Sequence, residues 1–210
     1  MSPRPVQWLG RLSYGWALQL QRSRRQAVLR GQAPDVLWCL EHPPVVTLGR
    51  RGGEVLDIPK GVEVHRTERG GLATVHVPGQ LVGYLIVDLN RIGIGVREAV
   101  DRMESGLIQW LDTQGVRAGR RSGTPGVWVG DHKIAALGIH VRRGVTMHGF
   151  ALNLDPDLGA FAWIVPCGLT DTGVTSVARC AGRAPASHQV ADEVGRAVWS
   201  SVVDTPQGQR

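Results

Sequence analysis

The sequence predicts a single α+β domain built from mixed, largely antiparallel sheets flanked by helices. Three observations carry this. Short apolar segments of strand length alternate irregularly with stretches of helical periodicity, not in a regular strand–helix–strand order. Many connections between segments are of hairpin length. No internal repeat, low-complexity run or linker divides the 210 residues, a length that one core can fill. The domain is therefore taken as residues 1–210, with a frayed tail from 204 onward.

Each element follows from local chemistry. Val6 to Leu9 reads as a short first strand. Ser13 is a helix N-cap, and the helix runs to about Arg30, with Trp16, Leu20, Ala27 and Val28 as its apolar stripe. Arg22, Arg24 and Arg25 are expected to face water, and Gly31 and Pro34 stop the helix. Residues 35–42 form a continuous apolar strand, with Cys39 as a packed core thiol. Pro43-Pro44 breaks the chain before the strand VVTLG; residues 50–59 are a loop and 62–66 a short strand. Gly70-Gly71 marks a turn or a close backbone approach. Strands at 73–77 and 81–89 are joined through Pro78-Gly79-Gln80. The clearest helix spans 96–114, with Val96, Val100, Met103, Leu107, Ile108 and Leu111 on one face and Gly115 at its end. Strands follow at 127–129, 133–141 and 146–154, the last two joined by an Arg143-Gly144 hairpin turn. A short helix at 157–164, an irregular polar stretch at 168–186 and a closing helix at 190–203 complete the chain.

Composition narrows the function. With 42% apolar and 20% charged residues the chain is an ordinary soluble globular protein. No apolar run approaches a membrane span, and the N-terminus has no secretory apolar region. Three cysteines, at 39, 167 and 180, match no disulfide framework and no zinc spacing, so a reducing, cytoplasmic location is expected. The net charge of +6 is scattered, with no basic run longer than two and no groove-reading motif. An acidic protein partner is therefore ranked above nucleic acid.

Two residues draw attention as chemistry. Only Lys60 and Lys133 are lysines, against twenty-two arginines. An ammonium can lose its proton where a guanidinium does not, so Lys133 is a candidate acid/base, although a few lysines survive any compositional bias. Cys167 lies in a Pro-Cys-Gly turn, whose glycine leaves following N–H groups free to face a substrate oxygen. A structural turn cysteine is the commoner use of such a residue. Of the seven histidines, His76 and His148 lie in glycine-containing stretches, and His132 adjoins Lys133 but points to the other face of a strand. Most are expected to be polar strand residues. Neither a triad carboxylate nor metal-ligand spacing is present, so no metal is expected. The Arg69-Gly70-Gly71 loop lacks the lysine and hydroxyl of a phosphate loop.

Taken together the stretches are more specific than any one of them. PPVVTLGRRGG at 43–53, RGGLATVHVPGQ at 69–80, GVWVGDHKIAALGIHVRRGVTMHGFALNL at 126–154 and PCGL at 166–169 resemble the lipoyl(octanoyl) transferase family in order and spacing. The resemblance implies the fold shared with biotin and lipoate protein ligases, and a catalytic dyad of Cys167 and Lys133. It implies an acyl pocket lined by Arg69, Gly70, Gly71, Leu72, Ala73, Thr74, Val75 and His76, by Ala136, Leu137 and Gly138, and by Gly149, Phe150 and Ala151. It further implies transfer of octanoyl (or lipoyl) from the phosphopantetheine thioester of an acyl carrier protein, through an acyl-cysteine, to a lysine of an acceptor. The acceptors would be lipoyl domains of 2-oxoacid dehydrogenase complexes or the glycine-cleavage H protein, with no ATP, metal or other cofactor. Val75 and Val77 stand where the family usually has an aromatic residue and a glycine. An ATP-dependent lipoate or biotin ligase, and a non-catalytic acyl-binding scaffold, are the alternatives.

Overall fold

The computed structural model describes residues 5–165 and 173–204. Its larger sheet has eight strands among these residues, in the path β1 (Val6–Arg11), β2 (Val36–Glu41), β6 (Gln80–Ile86), β10 (Val145–Asn153), β9 (His132–Arg142), β8 (Thr124–Val129) and β7 (Gly119–Arg121), with β11 (Gly173–Val174) added to β9. The smaller sheet has the order β4 (Glu63–Arg66), β3 (Val45–Leu48), β5 (Ala73–His76). Only the pairs β1/β2, β3/β4 and β9/β11 are parallel, so the sheets are largely antiparallel, as the short connections imply.

Helices cover both faces of the larger sheet. α3 (Val96–Thr113) packs against α5 (Ser187–Trp199), and α5 lies on β1 and β2. Met103, Leu107 and Leu111 of α3 are fully buried with Leu81, Leu85 and Leu152 of the sheet, each such side chain contributing roughly 1.5–3 kcal/mol. α1 (Tyr14–Leu29) covers the opposite face, along β6 and β10. Short helices α2 (Leu89–Ile92) and α4 (Val177–Ala181) and a 3-10 segment at Leu158–Trp163 fill the connections.

Several boundaries follow the sequence closely. Ser13 caps α1, its hydroxyl accepting from the Trp16 N–H, and Asp157 caps the 3-10 segment through the Gly159 N–H. Arg143 (φ 51°) and Gly144 (φ 84°) form the β9–β10 turn, both in the left-handed region that a tight two-residue hairpin requires. Cys39 is a core thiol, pushed up to about 12 by burial and by the nearby Asp192.

Other expectations are corrected. Tyr14, Ala17, Leu18, Gln21, Arg25 and Val28 are the buried face of α1, whereas Trp16 is 54% exposed and Arg25 does not face water. The face pairs with polar groups: Gln21 Oε1 accepts from the His148 N–H at 2.8 Å. Val96 is exposed in the first turn of α3, whose buried face runs instead through Ala99, Met103, Leu107 and Trp110. The strands at 73–76 and 80–86 are joined through Pro78-Gly79 as expected, and that turn passes the chain from the smaller sheet to the larger. Within 168–186, residues 173–174 join β9 and 177–181 are helical. The closing helix begins at Ser187 and runs into a wider helical turn at Ser200–Asp204.

Candidate active site

A cavity of about 560 Å³ lies between the two sheets, within the range of small-ligand sites. Its walls come from β5 and the loop before it, from the middle of β6, β9 and β10, from Tyr14 at the start of α1, and from Phe161, Ala162, Ile164 and Val165 around the end of the 3-10 segment. The structure brings Arg69, Gly71, Leu72, Ala73, Thr74 and His76 to this cavity, with Ala136, Leu137 and Gly138, with Gly149, Phe150 and Ala151, and with Lys133.

Two expected wall residues are elsewhere. Val75 alternates to the other face of β5 and is fully buried with Val46, Val77, Ala160 and Ile164 in the core behind the smaller sheet. Its replacement of an aromatic residue therefore changes that core, not the cavity surface. Gly70 is a seam: its N–H donates to Ile139 O at 3.1 Å, and a Cβ on Gly138 would come 3.0 Å from Gly70 O. The two glycines let the sheets approach and close one side of the cavity. Arg69 braces this seam, donating from Nη2 to Thr47 O at 2.7 Å and from Nη1 to Gly70 O at 3.0 Å. Cys167 lies outside the described residues. Val165, two residues before it, and Gly173, six after it, both line the cavity.

Lys133 marks one end. Its Nζ sits 4.8 Å from the centroid of the Trp128 ring, a cation–π contact between neighbouring strands. Val174 pairs with Lys133 across β11/β9, and Thr175 N–H donates to Lys133 O at 3.0 Å. The supporting strand is itself pinned: the buried Glu104 carboxylate of α3 accepts from Gly126 N–H at 2.8 Å and from Arg120 Nε at 2.9 Å.

The other end is a cluster of polar rings beside the Arg69 guanidinium. Tyr84 pairs with Gly149, and Gly149 with Gly138, five residues along β9 from Lys133. That is roughly 16 Å along the strand at ~3.3 Å per residue. Tyr14, His42, His76, Tyr84 and His148 form a cluster of rings with centroids 5.4–6.3 Å apart. His42 Nδ1 is 2.7 Å from Leu12 O, so it donates there, and Nε2 accepts from the Tyr84 hydroxyl at 2.7 Å. Burial lowers His42 to about 4, and His76 and His148 to about 3, so all three are neutral near pH 7. Burial also raises both tyrosines.

His148 reaches this cluster by an unusual backbone. In β10, Phe150 and Leu152 pack toward α3 and α5, while Met147 and Ala151 pack on the α1 side. Strict alternation would send His148 with Phe150. Instead His148 adopts φ 61°, its ring meets Tyr84, and its Nε2 lies 3.3 Å from the Thr67 hydroxyl. A left-handed residue inside a strand costs on the order of 1 kcal/mol or more and persists where its surroundings over-determine it.

Sequence reasoning did not find Tyr14, Tyr84, Trp128 or His148 as cavity residues; most histidines do lie in strands as expected, but His76 and His148 are buried there and His42 is buried just after β2. The usable signal was the position of His148 next to Gly149, in a stretch already expected to form the wall. No group of three or more His, Cys, Asp or Glu side chains among the described residues could hold a metal ion. No helix among them is long and apolar enough to cross a membrane.

An apolar cavity between the two sheets, with an amine at one end, is suited to holding an acyl chain. The chain belongs to the lipoyl protein ligase A/B catalytic domain family, whose model matches residues 13–198. It is 45% identical over 202 residues to an octanoyltransferase of Alkaliphilus metalliredigens, covering 92% of each chain. It is 47% identical over 206 residues to an octanoyltransferase of Mycolicibacterium gilvum, covering 95% of this chain and 86% of that one. Its fold is similar to that of lipoate-protein ligase A crystallised with ATP, with a TM-score of 0.71 at 17% identity over 99% of this chain and 89% of the other.

Proposed function

We propose that this chain is an octanoyltransferase of lipoate cofactor biosynthesis, acting through a thioester on Cys167. The observation that carries this reading is the cavity: mostly apolar, with a cluster of neutral rings at one end and Lys133 at the other. It is lined by Val165 and by Gly173 and Val174, which flank Cys167 in sequence, and the latter pair sits beside the Lys133 strand. Each methylene of an acyl chain buried there contributes about 0.8 kcal/mol to binding.

The reaction has two halves. The Cys167 thiolate, stabilised by the Lys133 ammonium, attacks the octanoyl thioester of a carrier-bound phosphopantetheine. The bond to the pantetheine sulfur breaks, and that sulfur leaves as a thiol with a proton from Lys133. In the second half, a lysine amine of a lipoyl-accepting protein attacks the acyl-cysteine. Lys133 takes up the proton of the incoming amine, the amide forms and Cys167 is regenerated. A thioester becomes a thioester and then an amide, so neither ATP nor metal is required. The acyl carrier protein is the proposed donor. Lipoyl domains of 2-oxoacid dehydrogenase complexes and the glycine-cleavage H protein are the proposed acceptors, and the net charge of +6 suits acidic partners of this kind. The proposed setting is the cytoplasm.

The test is transfer of octanoyl from its carrier-protein thioester to an unmodified lipoyl domain, followed by mass spectrometry without nucleotide. Amide formation on one lysine of the domain is expected. A strict requirement for ATP would replace this reading with the ligase one.

A further inference from the structure

We propose that Asn153 is a positioning residue that holds the strand following Cys167 against the Lys133 strand, through a one-way string of hydrogen bonds starting at His76. The inference rests on the reading that Lys133 and Cys167 carry acyl transfer.

The string is complete and buried. His76 Nδ1 lies 2.6 Å from Gln80 Oε1, Gln80 Nε2 lies 2.9 Å from Asn153 Oδ1, and Asn153 Nδ2 lies 2.9 Å from Thr175 O. Thr175 N–H then donates to Lys133 O at 3.0 Å. All four residues of the side-chain string are less than a tenth exposed.

Its polarity is fixed from the far end. The Thr175 carbonyl only accepts, so Asn153 presents its NH2 there and turns Oδ1 to Gln80. Gln80 must then present its own NH2 to Asn153 and turn Oε1 to His76. The His76 proton is thereby held on Nδ1, leaving Nε2 as the ring's acceptor. Every group donates in the same direction, from the smaller sheet, through β6 and β10, to the residue that follows β11. Bonds aligned in this way polarise one another, and each amide has one orientation that satisfies both neighbours.

The consequence lies at β11. Among the described residues β11 has two residues, fewer than any other strand of the larger sheet, and it pairs with β9 at His132 and Lys133. Without Asn153, the Thr175 carbonyl would lose its side-chain partner, and the backbone of that residue would be held through its N–H bond to Lys133 O. With it, Thr175 is gripped through both its carbonyl and its N–H. The chain that follows Cys167 in sequence is thereby held at β11, beside Lys133. Asn153 acts on the reaction through that junction and not on the substrate.

Asn153→Asp tests this with nearly the same shape. The aspartate still accepts from Gln80, but its second oxygen faces the Thr175 carbonyl with no proton to donate. Gln80→Glu reaches the same junction from a distance: a glutamate cannot donate to Asn153 Oδ1, so Asn153 turns its NH2 toward residue 80 and its oxygen toward Thr175. For either variant, the rate of Cys167 acylation by octanoyl-carrier protein is expected to fall ~10-fold or more, the yield of one lost buried hydrogen bond. The KM for the donor is expected to change little, and hydrogen exchange at the Val174 and Thr175 amides to quicken. Should Asn153→Asp fail to fold, Gln80→Glu carries the test. Wild-type acylation, or wild-type protection of Thr175, in a folded variant would overturn the proposal. Were the unmodified chain itself never acylated, the functional reading would fail, and exchange at Thr175 would still decide the tether.

Discussion

The two ends of the cavity are built in opposite ways. At the Lys133 end, Trp128 and Lys133 come from adjoining antiparallel strands only a few residues apart, and a cation rests on an aromatic face. At the far end, Tyr14, His76, Tyr84 and His148 come from α1, β5, β6 and β10, and none carries charge near neutrality. One end retains a group that can move a proton. The other presents neutral rings, tied together by bonds such as that between His42 and the Tyr84 hydroxyl. In the proposed reaction the first end would serve chemistry and the second recognition, so changes at the two ends should fail in different ways.

The largest effect is expected from Lys133→Arg. Arginine keeps the cation and its stacking on Trp128 but stays protonated, so octanoyl transfer should fall by ~100-fold or more while donor binding changes little. Steady-state kinetics with separate kcat and KM would check this, and wild-type turnover would remove the acid/base role.

The far end should respond to pH through stability. His42, His76 and His148 have folded values near 4, 3 and 3, below the ordinary 6.5. Above 6.5 both folded and unfolded states are neutral at these rings, and their contribution to stability is fully present. As pH falls below 6.5 the unfolded chain takes up protons that the folded chain refuses, so stability declines until the folded values are passed. Each ring contributes a slope of up to ~1.4 kcal/mol per pH unit in that window. Denaturant unfolding between pH 7 and pH 4 would show the decline, and a flat profile would contradict neutral burial.

At the Lys133 end, Trp128 escaped the sequence reading and is found only through the β8–β9 register, but Lys133 itself was legible, as one of two lysines and through the family resemblance. The far end was not, since it is assembled from four distant segments and depends on one torsion. His148 leaves its strand's alternation only through φ 61°, which composition and periodicity do not reveal. Trp16 and Arg25 exchanged places for a related reason. The inner face of α1 meets hydrogen-bonding partners such as the His148 N–H, so hydrophobicity alone misassigns that helix. The seam between Gly70 and Gly138 was half legible: the glycines indicated a close approach, and the structure supplies the partner.

Smaller effects sharpen the contrast. Between the ends, a Cβ on Gly83 would come 2.1 Å from the Phe150 ring, so Gly83→Ala should destabilise the fold by about 1–3 kcal/mol and loosen acyl binding. Thermal unfolding and donor KM would show both changes. Val75→Ala, in the core behind the smaller sheet, should cost about 2 kcal/mol yet leave the acyl-length profile as it was. A profile that shifts in this variant would place Val75 on the cavity after all.

The most direct test of the account traps the intermediate. The protein is mixed with octanoyl-carrier protein in the absence of ATP, and its intact mass is read, with peptide mapping to locate the adduct. One octanoyl group on Cys167, absent from Cys167→Ala, is the expected result. No adduct on the wild-type chain, or an adduct that survives in Cys167→Ala, would contradict the covalent mechanism.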